Sequence, residues 1–129
     1  MAVYVIEGSR VDGIAGFYDE LNRLFMSDED WRLGESLDAL DDLLYGGIGA
    51  LDGDADVRVE WADHELSRAA LGPSATDAWL SAKLARPDLY RSPTIEAQLT
   101  ALRQGRGPTY FELVLDVFAG HPQVQLSLR

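Results

Sequence analysis

The sequence predicts an α/β fold, a small three-stranded parallel sheet with helices packed against it and a two-helix insertion before the last helix. Three observations predict it. Three short β-prone runs occur at Val3–Ile6, Val57–Trp61 and Val124–Leu128, well separated along the chain. Helical patterns fill the spaces between them, and helical crossovers between successive strands favour parallel pairing. Finally, the stretch 72–107 is broken by Gly72-Pro73, Pro87, Ser92-Pro93 and Gly105-Arg106-Gly107-Pro108, which sets it apart as an insertion.

Taken in order, Val3-Tyr4-Val5-Ile6 is a continuous apolar run ended by Glu7-Gly8 and predicts a buried strand. Asp12 is placed to cap a helix whose apolar positions Ile14, Phe17, Leu21, Leu24 and Phe25 recur at three and four. A polar connection, Ser27 to Asp30, follows. From Trp31 to Gly46 one helix is expected, with Leu33, Leu37, Leu40 and Leu44 in a single stripe, stopped by Gly46-Gly47. Asp52 to Asp56 makes a turn, and Val57-Arg58-Val59-Glu60-Trp61 alternates as a half-buried strand should. Asp63 begins a short helix to about Ala70. In the insertion, Thr76–Ala85 and Pro93–Arg103 are helical, the second with Ser92 as N-cap and Gly105 past its end. Tyr110, Leu113, Val114, Val117 and Phe118 describe another amphipathic helix, closed by Gly120, before the last strand.

The chain has 129 residues, 47% hydrophobic and 26% charged, enough for one domain with one core, expected to span residues 1–129. Its net charge is −11. Such a surface repels nucleic-acid phosphates and anionic lipid, so direct nucleic-acid or membrane binding is not expected and a basic partner is. The acid is concentrated. Residues 28–60 hold eleven of the twenty-two carboxylates against only Arg32 and Arg58, a local charge of −9. The insertion reverses sign: five bases against three acids leave +2. There is no cysteine, hence no disulfide, thiolate metal site or cysteine nucleophile. The start MAVYVIEGSR lacks a basic segment followed by a long apolar run, and no stretch nears the about 18 apolar residues of a membrane span. A cytoplasmic location is expected.

The helix in the acidic region carries Asp38 and Asp42 one turn apart, with Glu35 and Asp41 beside them. Clustered like charge works against a helix, so stability alone does not account for it. Glu35 and Asp38 gain something from the dipole at a helix start, whereas Asp42 lies too far along to gain much. Asp52, Asp54 and Asp56 open like a calcium loop, but the sixth and twelfth positions are Val57 and Asp63 where glycine and glutamate belong, so a polar turn is expected. His64 and His121 have no recognisable nucleophile or ligand partner in sequence. Neither a cofactor, a metal nor a catalytic residue is assigned. Trp61 reads as core, Trp31 as either core or contact, and Trp79, Leu80 and Leu84 as the residues that seat the insertion on the domain.

Three stretches resemble the barstar family, small intracellular inhibitors of secreted bacterial ribonucleases. Gly34-Glu35-Ser36-Leu37-Asp38-Ala39-Leu40-Asp41-Asp42-Leu43 is similar to that family's Gly-Glu-Asn-Leu-Asp-Ala-Leu-x-Asp helix. Val57 to Trp61 with Glu65-Leu66-Ser67 resembles its second strand and third helix, and Val114 to Phe118 with the terminal strand resembles its close. Residues 3–71 and 108–128 are covered. The resemblance implies a non-catalytic inhibitor that plugs a basic ribonuclease of the guanyl-specific microbial type with the acidic helix and preceding loop. Asp42 aligns with the principal inhibitory aspartate, Asp38 with a second, and Gly34 with a glycine of the entering loop. Glu35, Trp31, Arg32, Asp41 and Tyr45 complete the implied contact set. The chain departs from the pattern at four positions. Arg32 stands where the family has an aromatic, Ser36 replaces its asparagine, Asp41 its tryptophan, and Gly120 its closing-helix glutamate. A monomer, or a 1:1 complex with the nuclease, is expected. The alternatives are an immunity or regulatory protein of the same fold aimed at another basic target, and, from the aspartate clusters, a metal-dependent hydrolase.

Overall fold

The structure is a computed structural model that describes residues 2–53 and 56–129. Its centre is a parallel sheet of three strands, β1 (Ala2–Glu7), β2 (Val57–Ala62) and β3 (Val124–Leu128), in the order β1-β2-β3. Six α-helices pack around it: α1 (Ile14–Phe25), α2 (Leu37–Tyr45), α3 (His64–Ala70), α4 (Pro73–Leu84), α5 (Ser92–Arg103) and α6 (Tyr110–Ala119). Among the described residues, no helix is long and apolar enough to cross a membrane.

The register aligns Tyr4 with Val59 and Leu126, and Ile6 with Trp61 and Leu128. Paired residues project to the same side of a sheet, so these side chains share one face. Ile6, Val57, Val59, Trp61 and Val124 on that face are buried. The opposite face carries Arg58, Glu60, Gln125 and Ser127 together with Val3 and Val5 of β1, a mostly polar surface. Here the apolar run Val3–Ile6 misleads. It predicts a strand buried on both sides, yet Val3 is 53% exposed and only Ile6 is fully covered.

Trp61 is the hub of the core. Phe17 stacks on it at 5.4 Å between ring centroids, and Phe111 lies at 5.2 Å. Its indole N–H donates to Ser67 Oγ at 2.9 Å, which in turn donates to the Gly8 carbonyl at 3.1 Å. A buried indole is thereby satisfied without water. The hydroxyls of Tyr18 and Tyr110 meet at 2.6 Å in the same core.

Several boundaries differ from expectation for local reasons. Asp12 does not cap α1; Gly13 holds that position. Helix α5 is capped at Arg91, with Ser92 and Pro93 already inside its first turn. Gly72-Pro73 does separate α3 from α4, but α4 begins at Pro73 and not at Thr76, because proline fits the first helical turn, where its missing N–H is no loss. The insertion has a small core of its own, Leu80, Ile95, Leu99 and Leu102, with Leu84 packed against it. Trp79 joins this to the main core, meeting Tyr110 edge-on at 4.8 Å. The Tyr110 amide donates to buried Thr76 Oγ1 at 2.7 Å. So Trp79 and Thr76 seat the insertion, while Leu80 and Leu84 hold its two helices together.

Glu20 is the buried charge of α1. Its carboxylate receives the Glu7 amide at 2.7 Å and both arms of Arg23 at 2.7 and 2.8 Å. Burial pushes its carboxyl upward, but Arg23, the Glu7 amide and Arg10 outweigh that and hold it below the usual range. A depressed native pKa stabilises above the unfolded value and loses that contribution as pH falls through the native one. Glu20→Gln is expected to cost about 1.5–3 kcal/mol at neutral pH, the worth of hydrogen bonds to a charged group. Urea unfolding should show the deficit shrinking below about pH 4.3, the ordinary glutamate value.

Candidate functional site

The loop before α2 is held from below by Asn22. Its Oδ1 accepts the Leu33 amide at 2.7 Å, and its Nδ2 donates to the Leu33 and Tyr18 carbonyls at 3.3 and 2.8 Å. This double bond to one backbone unit buries Leu33 although Leu33 is not helical. The helix starts later than the leucine spacing predicts. Ser36 has an extended backbone and its hydroxyl accepts the Ala39 amide at 3.0 Å, an N-cap that makes Leu37 the first helical residue. The apolar face of α2 is therefore Leu40, Leu43 and Leu44, with Leu37 half-covered and Leu33 contributed by the loop. Gly46, at φ +97°, ends the helix in the left-handed conformation that glycine adopts freely.

The four carboxylates differ once placed. Asp38 and Asp42 are exposed on neighbouring turns, where side chains four apart stand about 5–6 Å from each other at Cβ. Among the described residues neither forms a hydrogen bond or an ion pair. Asp41 does. His121 Nε2 lies 2.6 Å from Asp41 Oδ1, and an ionised carboxylate only accepts, so that nitrogen carries the proton. Nearby, Gln123 donates to the Leu44 carbonyl at 2.9 Å. The turn between α6 and β3 thus ties down the C-terminal half of α2. His64 is likewise engaged, with Nδ1 at 2.8 Å from the Arg129 carbonyl and Nε2 at 2.9 Å from Glu65. Sequence spacing could not have found the Asp41–His121 pair, whose members lie 80 positions apart.

Trp31, in the loop before α2, is 45% exposed and lines a surface depression with Arg32, Asp19 and Arg23, while Tyr45, the last residue of α2, is 80% exposed. Arg32 is not free; it pairs with Asp19 of α1 at 3.0 Å. Glu35 is exposed, and it lines a cleft of about 310 Å³ with Ser36, Asp38, Trp79, Lys83 and Tyr90. The insertion, expected only to sit on the domain, forms one wall of this cleft. No protein-family model and no curated protein matches this chain.

Gly34 is informative because the fold makes no demand on it. A Cβ built there meets no atom of the described residues within 4 Å, and its φ is not in the left-handed region. Gly34→Ala is therefore expected to change the unfolding free energy by no more than about 0.5 kcal/mol. If a partner packs on this backbone, the same substitution weakens binding by about tenfold, or about 1.4 kcal/mol. Denaturation and titration of the one variant separate the two effects.

The arrangement suits recognition of cations. Among the described residues no group of three or more histidines, aspartates or glutamates is placed to hold a metal ion. Asp54, the middle of the calcium-like triplet, lies outside the described residues.

Proposed function

We propose that the protein is a non-catalytic inhibitor of a basic secreted ribonuclease of the guanyl-specific microbial type, acting in the cytoplasm of the producing cell. Helix α2 and the loop from Trp31 to Ser36 would enter the enzyme's active site. One observation carries the reading: among the described residues Asp38 and Asp42 stand exposed on one face without a hydrogen bond or an ion pair, on a helix otherwise anchored at its cap, its core face and its C-terminal half. An exposed carboxylate with no internal hydrogen bond or ion pair, as at Asp42, is what a cationic site can bind without first breaking internal contacts. A ribonuclease site is cationic because it must hold RNA phosphates, and carboxylates that take the phosphate positions gain charge-assisted hydrogen bonds there. The resemblance of residues 34–43 to the barstar helix supports the same assignment.

The local charge of −9 over residues 28–60 would steer encounter over longer range. Stopped-flow association with the nuclease is expected to slow steeply from low salt to 0.15 M, where the Debye length is about 8 Å, while dissociation changes little. The direct test is titration of the protein into assays of small basic ribonucleases. Stoichiometric 1:1 inhibition supports the proposal. Absence of inhibition across a panel of such enzymes at micromolar protein removes it, and inhibition of a basic DNase instead moves the target to another nuclease class.

A further inference from the structure

The cleft between α2 and the insertion holds a lysine in an unusual setting. Lys83 Nζ lies 4.0 Å from the centroid of the Trp79 ring and 5.1 Å from that of Tyr90. Across from these rings stand Glu35 and Asp38. The ammonium is thus a resident cation between two aromatic faces and a pair of carboxylates. It is poorly matched to that place. Burial makes its charged form less favourable, and the attraction of Asp38 recovers only part of the loss, so its pKa is held below the usual lysine value. Asp38 attracts it without forming an ion pair. Tyr90 remains 40% exposed, and the cleft continues past it for about 280 Å³ along Arg86 and Leu89, with Leu89 61% exposed.

We propose that this cleft is a subsite for an arginine side chain of the protein partner, and that Lys83 is a placeholder displaced when the arginine enters. The proposal rests on the inhibitor reading, and it makes the insertion part of the interface. Arginine fits better than lysine for three reasons. A planar guanidinium can stack on the flat indole and phenol faces. Its fork carries donors for two carboxylates, and the cleft is lined by two, Glu35 and Asp38. It is also more weakly hydrated than an ammonium, so the burial that disfavours Lys83 costs it less. Lys83 in turn recovers its hydration by swinging out on a flexible stem. Arg86 does not compete for the site, being drawn to Asp88 at 3.6 Å. The subsite lies beside Asp38 on the same surface as Asp42, so one partner face can reach both.

The test uses N-acetyl-arginine amide, with N-acetyl-citrulline amide as its uncharged isostere, and follows the Trp79 indole N–H resonance. Trp79 itself is left unchanged because it packs on Tyr110. A saturable shift with the arginine probe and none with citrulline supports the subsite. So does severalfold tighter binding in Lys83→Met and several-fold weaker binding in Tyr90→Ala and Asp38→Asn. No saturable shift, an equal response to citrulline, or Lys83→Met binding no tighter than the parent overturns it. Nuclease inhibition by the same variants separates this from the functional reading. A subsite that binds the probe in a protein that inhibits no ribonuclease leaves the arginine site standing and removes its proposed owner. Full inhibition with unchanged Tyr90→Ala and Lys83→Met affinities removes the subsite alone.

Discussion

Asp42→Ala is expected to weaken inhibition of the target ribonuclease by about 30- to 4,000-fold, equivalent to about 2–5 kcal/mol, without weakening the fold. The binding loss follows from truncating one partner of a charge pair that becomes buried in the complex, which leaves the enzyme's cation desolvated and unmatched. The preserved fold follows from the free protein. Asp42 is exposed, has no described partner, and stands beside Asp38 and Asp41. Removing it relieves like-charge repulsion of about 0.2–0.5 kcal/mol, and takes a negative charge from the half of the helix nearer its negative dipole end. A small gain in unfolding free energy should therefore accompany the loss of binding.

Its two neighbours should behave differently. Asp38 lies in the first turn of α2, where a carboxylate is favourable by about 0.3–1 kcal/mol, so Asp38→Ala should lose binding and a little stability together. Asp41→Ala should lose chiefly stability, because it deprives His121 of its partner. Inhibition constants and denaturation midpoints for the three alanine variants form a pattern that a uniformly solvated acidic face would not produce. Equal inhibition by Asp42→Ala and the parent protein would remove the central role given to this residue.

What was legible in sequence divides along a physical line. Strands with one wet face declare themselves by alternation, as Val57 to Trp61 did, because period two is a local property. Val3–Ile6 hid its wet face because an apolar residue, Val3, happens to occupy it. The leucines from 33 to 44 fitted a helix throughout, yet a single hydroxyl at Ser36 decided where the helix begins. The helix expected from Thr76 begins three residues earlier, at Pro73, which places Thr76 inside it, where its hydroxyl accepts the Tyr110 amide. For the candidate site, the acidic residues were identifiable from spacing and from likeness to a known helix. Their differentiation was not. Asp41 is set apart by His121, Arg32 by Asp19, and Asp38 by Lys83, and all three neighbours come from elsewhere in the fold.

Asn22→Ala is expected to be the most revealing substitution outside the acidic surface. Asn22 and Leu33 are both buried, and the amide side chain satisfies the Leu33 N–H and C=O together. Removing it strands two buried backbone groups at about 1–3 kcal/mol each, for a destabilisation of about 2–6 kcal/mol measured by urea unfolding. Better helix propensity of alanine in α1 returns well under 1 kcal/mol. To escape the penalty, the loop must lift Leu33 toward water, and Trp31 to Ser36 then lose their fixed path. The cost of ordering them, about 1–2 kcal/mol per residue, passes from folding to binding. Nuclease affinity should therefore fall through faster dissociation, while the salt dependence of association stays as it was because no charge has changed. Asn22→Asp sharpens the test. It keeps an acceptor for the Leu33 N–H but sets a buried carboxylate against the carbonyls of Leu33 and Tyr18. Such a group has a raised native pKa, so it destabilises when ionised and recovers as pH falls through that value, when the protonated acid can donate. The deficits of Asn22→Asp and Glu20→Gln, each measured against the parent, should both shrink on acidification but in separate windows. The first shrinks already above the ordinary aspartate value of about 3.9 and the second only below about pH 4.3, which would locate each effect in its own hydrogen bonds and not in a general response of an acidic protein. An Asn22→Ala protein that unfolds and inhibits like the parent would mean that the loop holds its shape by other means.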